Sequence, residues 1–449
     1  MTPEFLARFD QRVPRYTSYP TAPHLQPGVG VKRYADWLRS LPPEKPISLY
    51  VHVPFCDTLC WFCGCHTKIV NRYEPVARYV DLLIEEIDLV AAAIGSGRPL
   101  GHLHFGGGSP TIINSDDMCR LGEHLHRRFQ INEDAEIAVE IDPRGVSRDK
   151  IAALAAIGVN RASLGLQDVN PEVQRAINRI QPLATTRQVV DWLHEAGIEA
   201  INVDLMYGLP YQDLDGIGRT VEAAVGLAPD RLALFGYAHV PRMKRHQRLI
   251  DEKALPDLVM RWAHFQYASD GLSAAGYHPI GLDHFAKPDD SLARAQVLGR
   301  LRRNFQGYTA DPAEALIGLG PSAIGALPSA YVQNQVPLLA WREAVSENRL
   351  AIARGLVLDD EDRLRRAVIE RLMCDFEVDL AAELKAFDRA NDHFAAELER
   401  LDELAVDGIV ERHGMTVRVP EPARPLVRIV AAIFDQYLEA SDIRHTQAV

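Results

Sequence analysis

The amino-acid sequence predicts an α/β protein: a partial (βα)6 TIM-like barrel, led in by an extended segment and followed by a small, mostly helical domain. Three observations predict it. Short β-rich runs alternate with longer amphipathic stretches, polar or small residues recur where those runs end, and the alternation stops beyond residue 240. The β-rich runs are ISLYVHV (47–53), HLHFG (102–106), AEIAVEI (135–141), NRASLGL (160–166), EAINVDLMYG (199–208) and RLALFGYAHV (231–240). Helical spacing is clearest in 74–94 and recurs over 115–129, 147–158, 185–197 and 213–228. Several of these stretches open on Ser, Thr or Asp and close on Gly, as capped helices do.

Strand–helix alternation implies a parallel sheet with helical crossovers, either an open doubly wound sheet or a full or partial barrel. His52, Gly106, Glu140, Gln167, Asp204 and Ala238 each stand near the end of a different strand. Any one of them alone reads as a strand terminator. Six in series favour a barrel, whose strand C-termini converge on one face and build a site there.

The flanks read differently. RYTSYPTAPHLQPG (15–28) is polar, aromatic and Pro-rich, which predicts an extended or turn-rich strip whose Tyr16 and Tyr19 serve as a substrate sensor or a surface strap. Beyond the alternation, 261–276 predicts a helix and 277–286 a strand leading into a loop. Residues 361–376 and 380–408 are amphipathic helices, and VERHGMTVRVP (410–420) is a hairpin with His-Gly at its turn. The expected division is 1–45, 46–355 and 356–449, the last a lid.

Composition narrows the function. The chain has 449 residues, 47% hydrophobic, with a formal net charge of -12. That balance gives no electrostatic footprint for nucleic acid. No apolar run approaches the ~20 residues of a membrane helix, and the N-terminus lacks a signal-peptide core. The expectation is a cytoplasmic protein with reduced thiols. KRHQR (244–248) and RLRR (300–303) read as solvated faces, either of which could meet a substrate carboxylate.

Four of the six cysteines fall in CDTLCWFCGC (56–65). Structural zinc takes two ligand pairs with a longer spacer between them. Here Cys56, Cys60 and Cys63 follow the first strand as C-x-x-x-C-x-x-C within one loop, a wrap that suits an iron–sulfur cube. Three thiolates on four irons leave one iron open for chemistry. A four-thiolate electron-transfer cluster and a compact zinc site are the alternatives, with Cys65 ambiguous. Cys119 and Cys374 read as small buried hydrophobes. GGGSPT (106–111) is by itself a tight turn, or a place where a ligand approaches backbone N–H groups. GLGPSAIG (318–325) imitates a dinucleotide fingerprint but lacks the strand-to-helix context that fingerprint requires.

With these residues in view, the chain resembles the radical S-adenosylmethionine superfamily and, within it, the oxygen-independent coproporphyrinogen III oxidases. The likeness rests on the cysteine motif with Phe62, and on PRYTSYPTA (14–22), HFGGGSPT (104–111), EIDPRG (140–145), GLQD (165–168), DLMYGLP (204–210), GLDHFA (281–286), NFQGYT (304–309) and YVQNQ (331–335). The resemblance implies that Cys56, Cys60 and Cys63 hold a [4Fe-4S] cluster. It implies that Tyr50, Gly107, Glu140 and Ile324 contact the cluster-bound S-adenosylmethionine. Phe62, Gly108, Ser109, Gln167, Arg179, Asp204 and Ala238 would contact a second S-adenosylmethionine; Ser109 stands where that family commonly has threonine. The implied reaction uses a 5′-deoxyadenosyl radical to convert two propionates of coproporphyrinogen III to vinyl groups, giving protoporphyrinogen IX. An electron donor and an electron acceptor of unknown identity, and a monomeric state, complete the expectation. The rival readings are a sister radical enzyme that methylates or opens another substrate, and a non-catalytic metal-binding module.

Overall fold

The computed structural model describes residues 2–438. The six predicted runs form β1 (Ile47–Val53), β2 (Arg98–Gly107), β3 (Phe129–Ile141), β4 (Arg161–Gln167), β5 (Ala200–Tyr207) and β6 (Arg231–Gly236). They pair in parallel in that order. Helices Glu74–Ile94, Ser115–Arg128, Arg148–Ala156, Leu183–Glu195 and Leu214–Val225 cross between them. The first buries Val76, Val80, Leu83, Ile87, Val90 and Ile94, steps of three or four that keep one stripe on the sheet. Asn114, Ser147 and Asp213 cap the next elements by accepting from the amides of Asp117, Lys150 and Gly216.

Six further strands widen the sheet: β7 (His278–Ile280), β8 (His284–Ala286), β9 (Leu316–Leu319), β10 (Ile324–Leu327), β11 (Ala330–Asn334) and β12 (Ile352–Val357). β9 lies parallel to β1 on its free side, and β10 to β12 follow antiparallel. At the other edge β8 runs antiparallel to β6 and β7 to β8. The twelve strands form one open sheet, a partial barrel. GLGPSAIG spans the end of β9, a turn with Gly320 at φ +88° and the start of β10. It opens no helix, as its proline requires.

Two local expectations change. Residues 277–286 make two antiparallel strands, because Gly281 takes φ +55° and turns the chain. A Cβ there would lie 2.0 Å from the Tyr308 ring, so only glycine fits. The N-terminal segment is turn-rich along 15–28, with a single 3-10 turn at Ala22–His24, and is flanked by helices Pro3–Phe9 and Val31–Ser40. Its Tyr16 and Tyr19 are buried, 3% and 1% exposed, rather than lying on the surface. They share a second apolar core with the C-terminal helix Asp360–Asp375 and Phe434. Tyr16 donates to Asp435 Oδ2 at 3.0 Å, and Tyr331 donates to the Tyr19 carbonyl at 3.0 Å. The predicted hairpin forms from Glu411–His413 and Thr416–Arg418 and gains a third strand, Glu377–Asp379.

One carboxyl inside the fold yields a prediction. Glu86, on the first crossover helix and 2% exposed, accepts from the Gly320 amide at 2.6 Å and Asn334 Nδ2 at 2.8 Å. Burial raises its pKa from 4.5 to about 7 despite those bonds. The native state therefore holds a proton that the unfolded chain has released, so this contribution is full below about 4.5 and is lost as pH rises through 7. Between pH 5 and 8 the wild type should lose up to about 3 kcal/mol of urea-unfolding stability relative to Glu86→Gln. Parallel pH curves for the two proteins would refute this.

Candidate active site

The cysteine loop leaves β1 and is pinned at its base, where Phe55 and Cys56 pair in parallel with Lys68 and Ile69. Its tip is held from three directions. Trp61 N donates to the Ile177 carbonyl at 2.9 Å and Asn178 Nδ2 to the Leu59 carbonyl at 2.9 Å. Lys244 Nζ donates to the Cys65 carbonyl at 3.0 Å, His246 Nε2 to the Cys63 carbonyl at 2.8 Å and Gln247 Nε2 to the Phe62 carbonyl at 3.0 Å. The KRHQR stretch is thus a brace for this loop. Phe62 packs with Trp61 against Val173, Ile177, Leu209 and Tyr237.

Each of the three predicted ligand sulfurs receives a donor. Thr67 Oγ1 lies 3.1 Å from Cys56 Sγ, and the Cys65 amide 3.3 Å from Cys63 Sγ. Cys60 Sγ takes Arg144 Nη2 at 3.2 Å and Arg179 Nη1 at 3.5 Å. Hydrogen bonding from Cys65 brings the Cys63 thiol down to about 6, while burial lifts Cys56 to about 12. Asp142 binds the two arginines, 2.6 Å from Arg144 Nη2 and 3.2 Å from Arg179 Nη1. Burial pushes its carboxyl up, but the Arg144 hydrogen bond and the Arg179 charge win and hold it at about 2. Cys374 is fully buried and Cys119 packs partly buried on the core, as small hydrophobes.

The glycine run at the end of β2 lies against this loop. Gly108 N donates to the Val53 carbonyl and Ser109 N to the Phe55 carbonyl, both at 2.8 Å. A Cβ on Gly108 would stand 2.5 Å from the Phe55 carbonyl oxygen and 2.6 Å from Thr67 Oγ1. Gly107, at φ +115°, donates to Glu140 Oε2 at 3.1 Å. Glu140 Oε1 also meets His104 Nε2 at 3.1 Å; burial raises this carboxyl and His104 more than offsets it, for a net lowering. Tyr50 stacks on His104 and bonds His52 Nδ1 at 3.0 Å. Ile324 opens β10, whose neighbour β9 sets Gly318 beside Tyr50.

Further round the sheet, Gln167 ends β4 at φ 67°. Asp204 on β5 accepts from Asn202 Nδ2 at 2.8 Å and Ser163 Oγ at 3.3 Å. Burial first, then the Glu140 charge, raise its pKa to about 6. Arg179 is 6% exposed and bonds the Gly165 carbonyl at 2.7 Å, yet its Nε has no partner. Ala238 lies just past β6, its carbonyl 3.2 Å from Gln247 Nε2. The predicted residues therefore gather along one end of the sheet. Sequence reasoning missed His104, Thr67, Arg144 and the brace from Lys244 and His246; EIDPRG was the only signal of Arg144.

These residues fit an iron–sulfur cluster with S-adenosylmethionine. Three thiols lie within one loop, and each sulfur meets an N–H or O–H donor of the kind that tunes clusters. Beside the loop, the buried Arg179 Nε awaits an acceptor.

The family model for the radical SAM superfamily matches residues 50–224. The chain is 48% identical over 440 residues to an oxygen-independent coproporphyrinogen III oxidase of Bradyrhizobium diazoefficiens, covering 98% of each chain. It is 40% identical to the Escherichia coli protein of the same name, over 96% of this chain and 94% of that one. A solved structure described as coproporphyrinogen III oxidase (HemN) from Escherichia coli, a radical SAM enzyme, superposes with a TM-score of 0.91 at 39% identity, covering 95% of this chain and all of that one. A likeness that runs from the N-terminal segment through the C-terminal helices, and not through the radical core alone, places this chain in the oxygen-independent coproporphyrinogen III oxidase family.

Proposed function

We propose that this chain converts two propionate side chains of coproporphyrinogen III to vinyl groups without oxygen, yielding protoporphyrinogen IX. The observation that carries the reading is near-full-length identity to the oxidases, joined to a cysteine loop whose three sulfurs each meet a hydrogen-bond donor. Cys56, Cys60 and Cys63 would hold the [4Fe-4S] cluster. When bound, the cluster and S-adenosylmethionine supply the radical that removes a propionate β-hydrogen, chemistry no side-chain base can perform.

The chain's own residues bind and orient. Glu140, fixed by the Gly107 amide and His104, offers a carboxylate to the amine of the cluster-bound S-adenosylmethionine, with Tyr50, Gly107 and Ile324 around it. Arg144 and Arg179 donate to Cys60 and draw charge off that sulfur, while Asp142 balances both. Phe62, Gly108, Ser109, Gln167, Arg179, Asp204 and Ala238 form the candidate second S-adenosylmethionine site. In it Asp204 suits a ribose hydroxyl, and the unpartnered Arg179 Nε suits a carboxylate. The reading includes an external electron donor and acceptor, and a monomer acting in the cytoplasm away from nucleic acid and membrane. No helix among the described residues is long and apolar enough to cross a membrane.

An anaerobic turnover assay tests it. The reconstituted protein, given reductant, S-adenosylmethionine and coproporphyrinogen III, should release a product lighter by two successive decarboxylations. A methylated product, or no S-adenosylmethionine cleavage by a fully loaded cluster, would refute the reading. Gly108→Ala should cut turnover at least a hundredfold, about 2.7 kcal/mol in barrier. Its Cβ would collide with the Phe55 backbone and spread the base of the loop. Retained turnover with full iron content would show that the loop tolerates that shift.

A further inference from the structure

Next to Ala238 lies a cavity of about 550 Å³, walled by β6, the N-terminal segment and the C-terminal helices. Tyr207, Leu234, Tyr237, Leu258, Trp262 and Phe265 give it an apolar body. It adjoins the cysteine loop, because Gln247 Nε2 bonds both the Ala238 and the Phe62 carbonyls, at 3.2 and 3.0 Å. Its charge is the reverse of the whole protein's. In a chain of formal net charge -12, five arginines face it, namely Arg12, Arg15, Arg242, Arg261 and Arg428, against only Asp10 and Asp283. Asp283 is already bonded to Arg15 at 2.8 Å and to His284 at 2.8 Å.

The cations are held ready for anions. Arg261 is braced by donating Nη1 to the Tyr237 carbonyl at 2.6 Å and by lying over the Tyr207 ring, while its buried Nε has no acceptor. Arg428 is 4% exposed, and burial followed by repulsion from Arg15 lowers its pKa to about 10. Arg12 and Arg242 stand exposed at the rim. An apolar hollow ringed by guanidiniums matches a macrocycle whose edge carries carboxylates, since arginine binds carboxylate in a bidentate fork.

We propose that this cavity seats the substrate macrocycle and that Arg242 and Arg261, with Arg12 at the rim, bind its propionates, an assignment that rests on the decarboxylase reading. The arginines are specificity determinants: they hold one propionate near the cluster by anchoring the others.

The test combines turnover with equilibrium binding on the reconstituted full chain. Arg261→Gln and Arg242→Gln should each raise KM for coproporphyrinogen III about tenfold, with kcat changed less than about threefold. Arg261→Lys should recover part of the loss. Air-stable coproporphyrin III should quench tryptophan fluorescence through Trp262, and its dissociation constant should weaken in the same proportion. The uncharged tetramethyl ester should bind the wild type poorly and the variants no worse. Arg242 is on the surface, so its variant keeps the result interpretable if a buried substitution unfolds the protein. A wild type that decarboxylates coproporphyrinogen III while both variants keep KM and binding within twofold would overturn the cavity assignment alone. A wild type that never turns over coproporphyrinogen III would overturn the function on which it rests.

Discussion

Cys60→Ala should bring anaerobic decarboxylation down at least ten-thousandfold, equivalent to about 5.4 kcal/mol of barrier. Cys60 is the most enclosed of the three loop thiols, 8% exposed, and the only one touched by two guanidiniums. Without its sulfur, Cys56 and Cys63 are two ligands where the proposed cluster needs three. The fold should survive, because Asp142 still compensates Arg144 and Arg179. The expected signature is a melting temperature within a few degrees of wild type, with iron content and turnover both collapsed. Cys65→Ala is the internal control for iron. Cys65→Ala removes the Cys65 thiol contact to Cys63 but keeps its backbone amide bond to Cys63 Sγ, and Cys65 is not one of the three proposed ligands, so iron loading should persist. Substantial turnover by Cys60→Ala would mean that another residue completes the ligand set.

Local features of this protein were legible in its sequence. Strand 47–53 and helix 74–94 fall where the sequence puts them, the strand as a short β-rich run buried on both faces and the helix as one continuous stripe against the core. The cysteine loop was equally legible, since its ligands are neighbours in sequence. What could not be read was whatever joins distant segments. Arg144 reaches Cys60 across 84 residues, and no periodicity encodes that meeting. The arginine cavity collects residues from position 12 to position 428, each of which in the sequence alone reads as an ordinary surface cation. Tyr16 and Tyr19 looked like surface aromatics in a polar strip; their burial depends on C-terminal helices more than three hundred residues away. At 277–286, a β-rich run concealed the left-handed turn at Gly281.

The same long-range arrangement makes Asp142 the second most sensitive position. Its carboxylate accepts from the Arg144 amide at 3.1 Å, from Arg144 Nη2 at 2.6 Å and from Arg179 Nη1 at 3.2 Å. The side chains of Asp142, Arg144 and Arg179 are 24%, 19% and 8% exposed, so solvent screens them little. Asp142→Ala removes the one anion between two guanidiniums aimed at the same sulfur. Breaking a buried pair from one side typically costs 3–5 kcal/mol; residual exposure sets the expectation at about 3 kcal/mol by urea unfolding at pH 7. Most of that cost is the stranded positive charge, not the lost attraction. Asp142→Ala combined with Arg144→Gln should therefore cost less than the sum of the two single losses, by at least about 1 kcal/mol. Strict additivity would show that the three groups act independently. Loss of coupling also bears on function, because Asp142 fixes where Arg144 points and, with the Gly165 carbonyl, where Arg179 points at Cys60.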